Sequence, residues 1–93
     1  MQAKKAFYNS DDWKTIRQAT KMDKSVAETY LDNGITDPDL IIAANSMYAD
    51  PQMGSYAIRA SKINYKEWND KKSDFKKQYG QTFVDNVDAL RST

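Results

Sequence analysis

Along most of this chain apolar residues recur three and four positions apart, with polar residues between them, which is the periodicity of helices packed on one side. Trp13, Ile16, Ala19 and Thr20 keep this spacing after Ser10. Ser10 is placed to cap a helix, and Asp11 and Asp12 fall in its first turn, where carboxylates complement exposed N–H groups. A first helix is predicted over about residues 11–21. Asp23 to Glu28 holds a second start. Ser25 and Glu28 have capping-box spacing, Asp23 competes as the cap, and Val26, Ala27, Tyr30 and Leu31 form the stripe. Asn33-Gly34 ends it, because glycine adopts the left-handed conformation that helix C-termini often need, and Ile35 would fold back onto the last turn.

The third start is Asp37-Pro38, a cap followed by a proline whose missing N–H costs nothing at the first helical position. Leu40, Ile41, Ala43, Ala44, Met47 and Tyr48 make a wide stripe, so this helix should be buried on much of its circumference. Asp50-Pro51 repeats the signal. A long helix is predicted from 51 to 79, stopped by Gly80, with Ala57, Ala60, Ile63, Trp68, Phe75 and Tyr79 along one side. The wholly polar Asp70–Ser73 stretch interrupts the register, and a break there would use Ser73 as a cap. Thr82 then caps a short helix over 82–91 carrying Phe83, Val84, Val87 and Leu90. No internal repeat or linker is visible. The expectation is one all-α domain over residues 1–93. It would be a small bundle of four to five helices: a three-helix unit over 11–49, a longer basic helix and a short C-terminal helix.

The three-helix unit resembles the ubiquitin-associated (UBA-like) fold over about residues 11–49. The matching elements read W-K-T-I-R-Q-A-T-K-M-D, S-V-A-E-T-Y-L-D-N-G and D-P-D-L-I-I-A-A-N-S-M-Y. Ala27 and Leu31 stand where that family's second helix has its Ala and Leu. Ile35, Leu40 and Ala44 match the entry and stripe of its third. The first loop has Thr20-Lys21-Met22-Asp23 in place of the family's Met-Gly-Phe/Tyr, and the third helix ends on Met47-Tyr48 rather than a Leu-Leu pair. Those two places usually contact ubiquitin. The resemblance therefore implies a partner-docking fold and leaves the partner open.

Composition narrows the chemistry. The 93 residues include no cysteine and no histidine. This excludes disulfides, thiolate zinc sites and cysteine nucleophiles, and removes the commonest general base. Gly34, Gly54 and Gly80 stand alone, so no glycine loop cradles a phosphate. Asp32, Asp37 and Asp39 lack the alternating order of a calcium loop and read as caps and turns. No enzymatic activity, cofactor or metal is expected. No apolar run reaches membrane-spanning length and no Asn-x-Ser/Thr acceptor occurs, so the expected location is cytoplasmic and away from membranes.

Net charge is only +1, but its distribution is uneven. Residues 10–50 hold four Lys/Arg and eight Asp/Glu, a balance of −4, while 59–77 hold seven and three, a balance of +4. Three functions follow from these features. A protein-interaction module, accessory or regulatory, would dock its partner through Met22, Met47 and Tyr48, with Met22 in its loop the most exposed. A nucleic-acid-binding protein would use Arg59, Lys62, Lys66, Lys72 and Lys76, interleaved with Tyr65, Trp68, Phe75 and Tyr79 for base stacking. The same residues read more readily as a solvated helix face with aromatics in the core, since a dedicated nucleic-acid domain is usually more basic overall. An assembly subunit would pack copies of itself through the Trp68–Tyr79 face.

Overall fold

A computed structural model describes residues 2–93, with side chains from Lys4 onward; Met1 lies outside them. The described residues form seven helices and no strand: α1 (Gln2–Tyr8), α2 (Asp11–Thr20), α3 (Lys24–Asp32), α4 (Pro38–Met47), α5 (Pro51–Ser61), α6 (Tyr65–Tyr79) and α7 (Gln81–Arg91). The all-helical expectation holds, and the count of four to five is corrected to seven.

Side chains set most of the starts. Ser10 accepts a hydrogen bond from the Trp13 amide at 3.4 Å, Asp37 from Asp39 at 3.0 Å and Asp50 from Gln52 at 2.9 Å. Helix α3 starts at Lys24, so the competing Asp23 and not Ser25 is its cap residue, although Asp23 makes no side-chain capping bond. At its end Gly34 has φ +76°, its amide donates to the Leu31 carbonyl, and the Ile35 amide donates to Tyr30 at 3.0 Å. That pairing is a Schellman motif, and it buries Ile35.

Two departures account for the extra helices. Helix α1 has only seven residues, too short to persist alone, so its contacts must hold it. Phe7 and Tyr8 pack against Trp13, with ring centroids at 6.3 and 5.1 Å, and Lys4 pairs with Glu28 at 2.8 Å and Asp32 at 2.7 Å on α3. The second departure is the long helix, which breaks at Lys62–Asn64 and not at 70–73. Asn64 is extended, and its side chain accepts from the Glu67 amide at 2.9 Å. The Arg91 guanidinium fastens the break from α7, donating to the Ser61 carbonyl at 3.0 Å and the Ile63 carbonyl at 2.5 Å. Asp70–Ser73 is helical throughout. It is polar because α6 lies on the surface and fully buries only Trp68. Thr82 sits inside α7 rather than capping it; Gly80, at φ +95°, joins α6 to α7.

Helix α5 is the centre of the packing, touching α3, α4 and α7, while α4 lies against α2 and α7 and α6 packs chiefly on α7. Helix α3 meets α5 more than its chain neighbours, so residues 11–49 share their core with the C-terminal half. Ile16, Tyr30, Ile35, Ile41, Ile58, Val87 and Leu90 fill that core. Gly54 lets α5 approach Tyr30, since a Cβ there would collide with the phenol hydroxyl. Among the described residues no helix is long and apolar enough to cross a membrane.

Candidate functional site

The sulfur-rich surface expected at Met22 does not form. Lys21 takes a left-handed conformation (φ 57°) to end α2, the Met22 amide donates to Thr20 Oγ1 at 3.0 Å, and Arg17 donates to the Met22 carbonyl at 2.8 Å. This turn points Met22 into the core, where it is 4% exposed. Met22 is therefore corrected from an exposed docking residue to a core residue. Met47 and Tyr48 are half-buried and pack against the same core. The Tyr48 and Tyr30 hydroxyls are buried, and neither finds a hydrogen-bond partner among the described residues. Burial, with a smaller contribution from the Asp50 carboxylate, pushes the Tyr30 phenol up to about 12, so it stays protonated and unreactive near neutral pH.

The basic residues do not converge either. Arg59 lies on α5, Lys62 in the following turn, and Lys66, Lys72 and Lys76 on α6. At about 3.6 residues per turn, Lys66 falls on the side of α6 away from Trp68, while Lys72 and Lys76 flank the packed side. Lys72 is engaged: its ammonium lies 3.2 Å from Asp88 and 5.9 Å from the Trp68 ring centroid. Trp68 is wholly buried and Phe75 half-buried, so two of the four aromatics proposed for stacking are partly or fully withdrawn from solvent.

A different site forms where α5, α6 and α7 meet. Phe75 and Tyr79, one turn apart at the end of α6, face Phe83 in the first turn of α7. Ring centroids are 6.0 Å apart for Phe75–Phe83 and 4.7 Å for Tyr79–Phe83, distances at which aromatic rings attract. Trp68 extends the ladder inward, 5.3 Å from Phe75. The Gly80 turn brings Tyr79 and Phe83 together. Opposite them α5 presents Tyr56, Arg59 and Ala60, with Ile63 at the turn. Between these walls lies an open groove of about 400 Å³. Tyr56 and Tyr79 stay 39% and 38% exposed on its walls. Arg59 is the one charged side chain lining it, and it makes no ion pair or side-chain hydrogen bond among the described residues.

Sequence reasoning singled out Phe75 and Tyr79 but missed Tyr56 and Phe83. The groove draws on three helices, and only the i, i+3 spacing of Tyr56 and Arg59 gave a local hint. Among the described residues no three His, Cys, Asp or Glu side chains converge to hold a metal ion. Comparison with protein families, curated proteins and solved structures gives no match to this chain.

Proposed function

We propose that this chain is a non-enzymatic protein-interaction module, accessory or regulatory in role, which docks a macromolecular partner through the α5–α6–α7 groove. The observation that carries this reading is the pairing of partly exposed aromatic walls with an unengaged arginine in one concave site. Its volume is in the range of ligand-binding clefts. Tyrosine and arginine are also the residue types on which interfaces concentrate their affinity. The UBA-like pattern of residues 11–49, which belongs to a fold used for docking, supports the same role from another part of the chain. Nucleic-acid binding is the weaker reading, because the lysines of α6 are spread around the helix and one of them is tied to Asp88.

The test is site-specific photo-crosslinking in extracts of the source cells. A crosslinking residue at position 56 should give adducts of discrete mass, and one at Lys14 on α2 should give none. Equal adducts at both positions, or none at either, would reject the reading.

A further inference from the structure

We infer that the groove's occupant is an acidic peptide segment, carrying an aromatic or large aliphatic anchor with an Asp or Glu close by; this rests on the docking reading above. The anchor sits among Tyr56, Phe75, Tyr79 and Phe83, and the carboxylate pairs with Arg59. Three observations select this chemistry.

The first is that Arg59 has no structural task in sight. Cations near a helix C-terminus commonly satisfy its carbonyls. At the end of α5 that role belongs to Arg91, which holds the Ser61 and Ile63 carbonyls. Arg59 is left exposed at an apolar wall, where a planar guanidinium suits a carboxylate.

The second is the surrounding charge. Residues 59–77 carry a balance of +4, and α6 packs chiefly on α7 rather than on the acidic helices of residues 10–50. Among the described residues, only Lys71 and Lys72 of this segment find carboxylates, at Glu67 and Asp88. Arg59 on the groove wall, within a segment of net positive charge, therefore favours an anionic partner.

The third is shape. A groove of about 400 Å³ holds one or two bulky side chains. A single strand of nucleic acid needs a row of cations tracking successive phosphates. Here one arginine lines the groove, and Lys66 and Lys77 lie on the far side of α6. A second copy of the chain docked face to face here would bring together two segments that each carry a balance of +4, which like-charge repulsion opposes.

A random peptide library displayed on phage and selected on the immobilised protein tests this. Enriched peptides should pair Trp, Phe, Tyr or Leu with Asp or Glu within a few residues. A representative peptide should bind the Arg59→Glu variant about tenfold more weakly or worse, the Arg59→Gln variant should fall between, and a Lys-for-Asp peptide should regain affinity for Arg59→Glu. Arg59 is exposed, so both variants should keep wild-type circular dichroism. Groove-binding peptides with no acidic excess would overturn the inference and leave the docking reading standing. No enrichment, combined with no crosslinks at position 56, would remove both. Displacement of the peptides by a single-stranded oligonucleotide, or self-association that covers the groove in sedimentation, would also overturn it.

Discussion

The indole nitrogen of Trp68 donates a 2.8 Å hydrogen bond to Asp88, and Lys72 reaches the other oxygen of that carboxylate at 3.2 Å. Trp68 is fully buried, whereas the Asp88 side chain is 43% exposed. One carboxylate at the edge of the core thus joins α6 to α7. Asp88→Ala would strand a buried N–H and should cost about 1–3 kcal/mol. Asp88→Asn keeps an acceptor and loses mainly a partly exposed ion pair, so it should cost about 0–1 kcal/mol. Urea unfolding of both variants checks the order. Equal losses would mean that the ion pair, not the indole bond, holds the seam.

Arg91 should be a fastening point for the α5–α6 turn. Its Nη1 alone donates to both the Ser61 and the Ile63 carbonyl. Arg91→Ala removes both charge-assisted bonds and should lower stability by about 1.5–3 kcal/mol. Amide exchange should quicken most around Lys62–Asn64, which native-state hydrogen exchange would reveal.

Gly54→Ala should destabilise by about 1–3 kcal/mol, the usual penalty of overpacking, because the new methyl group meets the Tyr30 hydroxyl and lies 3.1 Å from its ring carbon Cζ. Tyr30→Phe removes a hydroxyl that has no partner among the described residues, and should be neutral or mildly stabilising alone. In the Gly54→Ala background it should recover much of the loss. A double-mutant cycle measures the coupling.

Tyr30 also predicts an alkaline transition. Its folded value, about 12, lies above the ordinary phenol value of about 10. The folded state therefore holds the proton more tightly than the unfolded state. This contribution to stability is complete below about pH 10 and disappears as pH rises towards 12. Unfolding measured from pH 8 to 12 should show a fall that is shallower in Tyr30→Phe.

Met22 offers a check on its new assignment. As a core side chain, Met22→Ala should cost about 2–5 kcal/mol by thermal or urea unfolding. A change near zero would return it to the surface.

The sequence made the local punctuation legible. Ser10, Asp37 and Asp50 act as the caps their neighbours implied, and Gly34 with Ile35 closes α3 as expected. These signals need only a few adjacent residues. The break at 62–64 is also written locally, as the Asn64–Glu67 capping spacing, but the apolar series Ala60, Ile63, Trp68 runs through it and hides it. Helix α1 was hidden for another reason. It stands on Trp13 and on the Lys4 pairs to α3, which no short window contains. Met22 misled because a loop position suggested exposure, while the left-handed Lys21 turned it inward. The groove was half legible: Phe75 and Tyr79 share a helix turn, but Tyr56 and Phe83 reach them only through folding.

The close approach of Gly54 to Tyr30 also bears on how this chain can change over generations. Helix propensity alone would favour alanine at position 54. Here the order of events matters: alanine carries an overpacking penalty until position 30 has surrendered its hydroxyl. The single step at 54 is costly, whereas phenylalanine at 30 can come first at little cost. Position 54 should therefore stay glycine wherever position 30 is tyrosine, with phenylalanine at 30 as the gate.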